Sequence, residues 1–494
     1  MVWPTEFDTR LGEYDAMELP GQQLSAATAY SPLDHVLNLD IKLPAACQRL
    51  TGIIATIGKS SNDVEIMQRM MAAGMNIALL NLSFGSRDEH IEAIKNLRQA
   101  AKNYSVVVGK NFPLAIAARL PGRKIRTGNI SDTYVEPVEL ISGESVRLTT
   151  DETYKDRCSS SIVYIDFLHF AEQLKKGDII LLDNETIQLK VEVISTTTLT
   201  CKIERGGMLG SNKDVFVPNV VLKMPTYSEK DKIYIEMAVH HQVANGVMIT
   251  RQELGSDISP KKLVIAQKNM IARANKANVP VCLCAHLLSS MRFNKIPLRA
   301  ELLDVANCIL DGADALVLSA ETAIGIGPVE TISCMASACK EAEACVWTKN
   351  MFQDYVEKTP MPCDQSTAIA MSAVLAAYRS LAAAIVVVTS SGTAAFQVAK
   401  YRPRCPIIAV TRYATLARQM HLYRGVMPLI YEYTPESDWQ AYLEQRINFC
   451  AKWAMQRGFV RVGDPIVIVC SWKQGSEFTN TMRIVYATAD INVT

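Results

Sequence analysis

Residues 52–58 read Gly52-Ile53-Ile54-Ala55-Thr56-Ile57-Gly58, a short apolar run that begins and ends at glycine. A run of this length followed by an amphipathic stretch predicts a buried strand and a crossover helix. The same alternation continues along the chain. We predict parallel strands at Ile53–Ile57, Ile77–Leu82, Leu114–Ala118, Val247–Thr250, Val281–Ala285 and Leu316–Ser319.

Polar or small residues follow several of these strands, as in Asn81-Leu82-Ser83 and Ser319-Ala320-Glu321-Thr322. A (β/α) barrel carries its chemistry at the carboxyl ends of its strands. The pattern therefore predicts an α/β protein built on a truncated TIM-type (β/α) barrel with about six strands.

Two other regions have a different residue composition and pattern. Between about Asn129 and Pro225, Thr, Val, Ile and Ser are dense and helical periodicity is absent, which predicts a small inserted β-barrel domain. A second α/β series follows Thr348. We predict a helix at Ser366–Ser380, a strand at Ala383–Val388, a helix at Ala394–Tyr401 and a strand at Ile407–Thr411. The predicted organisation is an N-terminal segment (1–45), the barrel (46–128 and 226–348), the β domain (129–225) and a C-terminal α/β domain (364–494).

The charge balance excludes some partners. The 494 residues include 51 Lys and Arg and 50 Asp and Glu, a formal net charge of +1. Nucleic acid or an acidic membrane would require a stronger positive field, so we predict neither partner. The thirteen cysteines have no zinc-ligand spacing and the first residues lack a secretory pattern. We expect reduced thiols in a cytoplasmic protein.

The loop Thr389-Ser390-Ser391-Gly392-Thr393 joins an apolar strand to a helix. Its backbone N–H groups and hydroxyls would face an anion such as phosphate, although the same residues also suit a helix cap without a ligand. Three other candidates are weaker. His240 and His241 are neighbours that would point in different directions on a helix, Cys282 and Cys284 share one strand face and are expected to pack, and Glu253 with Asp257 could be metal ligands or solvated carboxylates.

A series of ordered motifs resembles the pyruvate kinase family from about Gln22 to Ile484. The matching stretches are Thr51–Gly58, Gly74-Met75-Asn76, Ile125-Arg126-Thr127-Gly128, Asp304-Val305-Ala306-Asn307, Asp311-Gly312-Ala313-Asp314, Tyr401-Arg402-Pro403-Arg404, His421-Leu422-Tyr423-Arg424-Gly425 and Phe478-Thr479-Asn480-Thr481-Met482-Arg483. The resemblance implies phosphoryl transfer from phosphoenolpyruvate to ADP, with Mg²⁺ and K⁺ as cofactors. Such transfer depends on cations and metal ligands placed around the moving group.

The resemblance also identifies departures on the strand ends. Leu79 stands where the family has a phosphate-binding Arg, while Asn81 and Ser83, which the resemblance makes substrate and K⁺ ligands, remain. Arg119 and Leu120 replace K⁺ ligands, and a second cation 4 Å from a bound K⁺ would repel it by about 4 kcal/mol at an effective dielectric of 20. Lys124, where many relatives have Glu, fits K⁺-independence.

The remaining departures affect residues that, by the resemblance, bind substrate or Mg²⁺ or lie beside the transferred proton. Thr250-Arg251-Gln252-Glu253 replaces a family motif whose Gly backbone approaches substrate, so Arg251 is a candidate substrate ligand and Glu253 a candidate Mg²⁺ ligand. Ala285 replaces a Thr beside the transferred proton, and Ala320 replaces a Gly. Arg126 and Lys213 are candidate nucleotide ligands.

About fifty residues that the family has are absent between Ala244 and Val247, and with them a catalytic Lys and a Mg²⁺-binding Glu. The gap is either a feature of the protein or a coding segment missing from the sequence, which the intact mass of the native protein decides. Leu79, Arg119 and Ala285 lie far from the gap. We therefore expect a pseudoenzyme with a structural or regulatory role, against the alternative of a working glycolytic pyruvate kinase. We also expect an open edge in the six-stranded sheet.

The C-terminal domain departs less. The resemblance implies an effector phosphate site for a sugar bisphosphate at Thr389, Ser391 and Gly392, with Trp439 and Arg446 as partners outside the loop. Thr393 replaces a basic residue, so we expect reduced affinity. The family's tetrameric surfaces predict a homo- or hetero-tetramer.

Overall fold

The computed structural model describes residues 23–43, 46, 48–119, 125–131, 137–183, 186–218, 220, 246–252, 254, 260–432, 438–473 and 479–488. These residues belong to two compact units, one within 1–119, 242–251 and 266–494 and the other within 120–241 and 252–265. No helix in this described part of the chain is long and apolar enough to cross a membrane.

The described residues include 20 β-strands. They are β1 (Gly52–Ile57), β2 (Ile77–Asn81), β3 (Ala115–Arg119), β4 (Ile125–Arg126), β5 (Val138–Leu140), β6 (Ser145–Thr149), β7 (Ile162–Tyr164), β8 (Ile179–Leu182), β9 (Ile187–Ile194), β10 (Thr198–Arg205), β11 (Gly207–Leu209), β12 (Asp214–Phe216), β13 (Val247–Thr250), β14 (Val281–Cys284), β15 (Ala315–Leu318), β16 (Ala384–Val388), β17 (Ile407–Thr411), β18 (Val426–Ile430), β19 (Pro465–Cys470) and β20 (Thr481–Tyr486).

The α-helices are α1 (Leu24–Ala27), α2 (Pro32–Leu37), α3 (Val64–Ala73), α4 (Arg87–Val108), α5 (Leu263–Lys276), α6 (Arg299–Leu310), α7 (Ala320–Ala323), α8 (Pro328–Ala344), α9 (Thr348–Glu357), α10 (Gln365–Arg379), α11 (Thr393–Lys400), α12 (Ala414–Met420) and α13 (Trp439–Gln456). Short 3₁₀ turns lie at Glu152–Tyr154, Ala171–Gln173, Pro260–Lys262 and Ser289–Arg292.

Six parallel strands form the barrel sheet in the order β13-β14-β15-β1-β2-β3. This confirms the predicted truncated barrel. Among the described strands β3 and β13 are not paired with each other, so the sheet is open at these two edges. The interior is an apolar cluster that includes Ile54, Leu79, Cys284 and Val317. Cys282 and Cys284 pack in this cluster, as predicted.

Three of the predicted barrel strands, β2, β14 and β15, end one residue earlier than expected. β14 stops at Cys284 because Ala285 adopts a left-handed backbone with φ of 76°. β15 stops at Leu318 because Ser319 is the residue that caps α7. In contrast, β3 extends one residue further, to Arg119, whose carbonyl accepts a hydrogen bond from Leu82 at 2.9 Å.

The second unit is β-rich. A seven-stranded sheet has the order β4-β12-β8-β9-β10-β6-β7, and β11 pairs with β5. Its core is a cluster of buried aliphatic side chains around Leu148, Ile180 and Leu189. Alternating burial along β9 and β10 explains the absence of helical periodicity here, because successive side chains of a strand point to opposite faces.

The C-terminal domain is a five-stranded sheet in the order β18-β17-β16-β19-β20, with β20 antiparallel. One apolar cluster includes Val374, Val398 and Ile407, and a second includes Val386 and Ile447. The predicted strand Ile407–Thr411 has the observed bounds. β16 begins one residue later than predicted, and the two predicted helices, α10 and α11, each begin and end one residue earlier.

A buried ion pair joins the barrel to this domain within the first unit. Asp314 precedes β15, and its Oδ1 lies 2.9 Å from Nη1 of Arg402, while Nη2 of Arg402 donates to Oδ2 at 3.1 Å. The backbone N–H of Arg424 donates to Oδ1 at 3.2 Å. These residues lie in three of the motifs that carry the family resemblance.

Candidate functional site

Leu79 lies inside the barrel and not at a polar mouth. Its side chain is 2% exposed, and its backbone lies between Thr56 on β1 and Ala117 on β3. The side chains that cluster with it are apolar, and the buried hydroxyl of its neighbour Thr56 donates to the carbonyl of Leu318 at 2.7 Å. The position where the resemblance places a phosphate-binding cation is therefore part of a dry core.

Asn81 ends β2 and lies directly beside Arg119 of β3. The Asn81 side-chain oxygen accepts a hydrogen bond from the backbone N–H of Ser83 at 3.2 Å, which closes a local turn. The oxygen that would bind K⁺ already has a donor, and a guanidinium side chain leaves from the adjacent position. Neither feature favours a bound cation.

Arg251 follows β13 and is buried. Two parallel hydrogen bonds run from Nη1 and Nη2 to Oδ1 and Oδ2 of Asp304, at 2.8 and 2.7 Å. Nε and Nη2 also donate to the carbonyl of Ala285 at 3.1 and 2.8 Å, and Nη2 lies 3.3 Å from that of His286. All three guanidinium nitrogens thus donate within the protein.

The electrostatics of Arg251 agree with this geometry. Burial alone lowers the pKa of Arg251, but the hydrogen bonds and the charge of Asp304 more than offset it, so the pKa is raised overall. Bidentate pairing of this kind fixes both the charge and the orientation of a guanidinium. The guanidinium of Arg251, the candidate substrate ligand, therefore bonds to groups of the protein itself.

Ala285, whose carbonyl accepts two hydrogen bonds from Arg251, has an unusual backbone conformation. The backbone of Ala285 has a φ of 76°, that of His286 58° and that of Leu288 54°. Left-handed backbone in residues other than Gly is strained and needs support from its surroundings. Ala285 offers no hydroxyl to a reacting group, and its carbonyl is occupied by Arg251.

Glu321, on α7 at the end of β15, is a buried acid that the sequence did not single out. Oε2 accepts from the N–H of Ser319 at 2.7 Å and Oε1 from the hydroxyl of Ser289 at 3.2 Å. Burial raises the pKa of Glu321, and the nearby charge of Glu301 acts in the same direction. Its position after a strand was the only sequence feature that pointed to it.

Several of the candidate cation ligands fall outside the part of the chain that the structure describes. Glu253 lies outside the described residues, as do Leu120, Lys124, His240, His241 and Asp257. Within the described ranges, no group of three His, Cys, Asp or Glu side chains could hold a metal ion. The carboxylate that the sequence proposes for Mg²⁺, that of Glu253, is not among the described side chains.

The two candidate nucleotide ligands lie in the β-rich unit. Nε of Arg126 lies 3.3 Å from Oδ1 of Asp214, and Nζ of Lys213 lies 3.0 Å from Oδ2 of Asp183. The backbone N–H of Arg126 also donates to Asp166 at 2.6 Å. Each cation is therefore already paired with a carboxylate.

The loop that the resemblance makes an effector phosphate site forms a closed turn before α11. The hydroxyl of Thr389 accepts from the N–H of Gly392 at 2.9 Å, and Gly392, with a φ of 85°, is the N-cap residue of α11. A Cβ at Gly392 would meet Leu416 at 2.7 Å and Phe396 at 2.8 Å, so only Gly fits. Ser391 and Thr393 share a hydrogen bond between their hydroxyls at 3.1 Å.

Trp439 and Arg446 both lie on α13. Nε1 of Trp439 donates to the carbonyl of Ser471 at 3.3 Å. Arg446 is 6% exposed and its guanidinium lies 4.9 Å from the ring of Tyr442, while its Nε has no partner among the described residues. Burial lowers the pKa of Arg446, and the charge of Arg412 acts in the same direction. A bound anion would stabilise the charged guanidinium and so oppose both effects.

These features define a (β/α)-barrel protein with an inserted β domain and a C-terminal α/β domain. The family model described as pyruvate kinase, barrel domain, matches residues 48–244 and 241–332, and the pyruvate kinase alpha/beta domain matches 367–485. Pyruvate kinase PKLR of Rattus norvegicus and that of Homo sapiens are each 36% identical over 513 residues, covering 94% of this chain and 89% of the relative. Pyruvate kinase 1 of Saccharomyces cerevisiae is 33% identical over 504 residues, covering 92% and 99%. The chain belongs to the pyruvate kinase family.

The matches also locate the missing segment. The alignment with the rat protein runs over 513 residues but uses 94% of 494, which is about 464, so about 50 positions lack a counterpart. The two matches to the barrel domain meet at residues 241–244. This agrees with a gap before Val247, the start of an edge strand.

Proposed function

We propose that this chain is a pyruvate kinase family member that has lost phosphoryl transfer and has a structural or regulatory role. The observation that carries the proposal is the buried, apolar environment of Leu79, where a cation would have to face phosphate. Removing one preorganised charge from such a site costs about 10²–10³ in rate.

Three further features support the proposal. The guanidinium of Arg251 is occupied by Asp304, Ala285 has no hydroxyl, and about 50 residues of the barrel are absent. Each removes a different contribution to charge neutralisation or to proton transfer.

The alternative is a working enzyme that transfers the phosphoryl group of phosphoenolpyruvate to ADP with Mg²⁺ and K⁺, as the names of the relatives suggest. A lactate-dehydrogenase-coupled assay on the full chain separates the two, with purified rat PKLR as the positive control. We expect no turnover above background. A rate near that of the control would remove the pseudoenzyme proposal.

A sugar bisphosphate effector is a second part of the proposal. The Thr389 turn and the unpartnered Nε of Arg446 support an anion site in the C-terminal domain. Titration calorimetry with fructose 1,6-bisphosphate tests it, and weak saturable binding is expected. Heat equal to that of dilution would remove the effector site.

The third part is assembly in the cytoplasm, either into a homo-tetramer or with active subunits into a hetero-tetramer. The N-terminal hairpin of α1 and α2 exposes five large apolar side chains, namely Tyr30, Leu33, Val36, Leu37 and Ile41. We call these five residues the hairpin patch. Exposed large apolar side chains that lie close together in the chain favour protein contact, and another subunit of the same family has the matching fold. Light scattering of the chain alone and mixed with an active relative tests this role, and a monomer in both samples would contradict it.

A further inference from the structure

Arg424 lies in the turn between α12 and β18 and is buried, with 5% of the residue exposed. Two nitrogens of its guanidinium, Nε and Nη2, have no hydrogen-bond partner among the described residues. Buried polar groups in folded proteins are almost always hydrogen-bonded, and a buried charge without a partner is costly. These two nitrogens therefore need an acceptor that the described side chains do not supply.

Two carboxylates, those of Glu343 and Asp314, act on the charge of Arg424. Glu343 uses both of its oxygens elsewhere. Oε1 accepts from the backbone N–H of Thr51 at 2.6 Å, and Oε2 accepts from the backbone N–H of Leu50 at 2.8 Å. Glu343 thus attracts the guanidinium of Arg424 without a hydrogen bond to Nε or Nη2.

Asp314 is occupied by the junction between the barrel and the C-terminal domain. Its Oδ1 lies 2.9 Å from Nη1 of Arg402 and accepts from the backbone N–H of Arg424 at 3.2 Å. Its Oδ2 accepts from Nη2 of Arg402 at 3.1 Å and from the backbone N–H of Val281 at 3.0 Å. A carboxylate has about four lone-pair positions, so these four contacts leave little capacity for the guanidinium of Arg424.

Positive charge exceeds negative charge around Arg424. Among the described residues, the charged groups linked to it, directly or through Tyr378 and Glu343, are four guanidinium groups and two carboxylates, those of Arg49, Arg402, Arg404, Arg424, Asp314 and Glu343. Burial lowers the pKa of Arg424; the charges of Glu343 and Asp314 oppose this, and that of Arg402 adds to it. A bound anion would stabilise the charged form of Arg424.

Two side chains of this positive region, Tyr378 and Arg404, also line a cleft with about 250 Å³ of empty space. The rest of the lining is mostly aliphatic and includes Val374, Leu381 and Pro403. Such walls suit a small ion of single charge, because an ion of higher charge costs more to remove from water.

We propose that Arg424 binds a small monovalent inorganic anion, such as chloride, through Nε and Nη2, and that this anion stabilises the junction between the barrel and the C-terminal domain. The anion accepts the two hydrogen bonds that the described side chains leave open. It also offsets part of the positive excess beside Arg402. This binding does not depend on the proposed function.

Bromide is the probe for the site, because it has the charge of chloride and gives an anomalous X-ray signal. Crystals of the full chain soaked in sodium bromide should show an anomalous peak within hydrogen-bonding reach of Nε and Nη2 of Arg424. An ordered water at this place, without an anomalous peak, would overturn the inference.

Thermal unfolding tests the same binding in solution. The melting temperature of the full chain is measured in about 100 mM sodium chloride and in sodium gluconate of the same ionic strength, so that only the anion differs. We expect a melting temperature about 2 °C higher in chloride, or more, because a ligand that binds the folded state stabilises it. Equal melting temperatures would overturn the inference even if bromide bound in the crystal, because they would mean binding at crystal concentration only.

Arg424→Met removes the guanidinium and should abolish both the bromide peak and the effect of chloride on the melting temperature. Arg379→Gln, which changes an exposed residue at the end of α10, is the matched control and should leave both unchanged. A chloride effect that persists in Arg424→Met would place the anion elsewhere and overturn the inference. If this variant does not fold, the two measurements on the natural protein decide.

Discussion

Leu79 lies opposite Ala117 in the barrel sheet, with both backbones paired in parallel and the Leu79 side chain in the apolar interior. The replacement of a cation by Leu is therefore accommodated by packing. A restored charge would meet no carboxylate in this cluster.

We predict that Leu79→Arg does not restore turnover and destabilises the protein by about 3–5 kcal/mol, because an uncompensated charge enters a dry core. Leu79→Met is the matched control and should cost less than about 1.5 kcal/mol. Urea unfolding measures both. Equal stability of the two variants would contradict the burial of this site.

Arg251→Gln should lower the free energy of unfolding by about 2–4 kcal/mol. The change removes the pair with Asp304 and leaves the carbonyls of Ala285 and His286 without a donor. Hydrogen exchange at residues 285–288 should rise in the same variant. Lys190→Gln, which removes the ion pair with Glu204 between two exposed side chains, should change stability by less than about 0.5 kcal/mol. A comparable loss of stability in both variants would argue against a stabilising role for the hydrogen bonds of Arg251.

His421 should destabilise the protein in acid. Burial lowers the pKa of His421 from 6.5 to about 4, and the charge of Arg49 acts in the same direction. Between these values the unfolded chain binds more protons than the folded one, so the free energy of unfolding falls as the pH falls from about 6.5 to about 4.

The size of this effect is on the order of 3 kcal/mol. His421→Leu should remove it, whereas His169→Leu, at an exposed site, should not. Urea unfolding at several pH values measures the difference between each variant and the natural protein. A constant difference for His421→Leu across this range would show that the imidazole does not titrate in this way.

Arg446→Leu should weaken binding of fructose 1,6-bisphosphate by about tenfold or more, because a charge-assisted hydrogen bond is lost from a buried site. Arg457→Leu, at the end of the same helix and exposed, is the control and should leave affinity unchanged. Titration calorimetry measures both. Unchanged affinity in Arg446→Leu would place the anion elsewhere.

Much of the fold could be predicted because apolar runs buried on both faces have a clear pattern. Ile407–Thr411 is such a run, and its bounds agree with the observed strand. The end of β14 could not be predicted, because nothing in Ala285 itself favours a left-handed backbone. That conformation depends on Arg251, which lies 34 residues earlier.

The site was less predictable because its contacts also join residues that are distant in the sequence. Sequence comparison indicates which residues replace family residues, but not what the remaining ones contact. Arg251 and Asp304 are 53 residues apart, and Arg126 pairs with Asp214 across 88 residues. The burial of Glu321 likewise arises from elements that meet only in the folded chain.

Crystals soaked with phosphoenolpyruvate and Mg²⁺ test the central claim most directly. The loss of charge around Leu79 and the occupied guanidinium of Arg251 predict no metal-bridged substrate at the carboxyl ends of the barrel strands. Phosphoenolpyruvate and Mg²⁺ bound together there, against this chain's own side chains in a reactive arrangement, would contradict it.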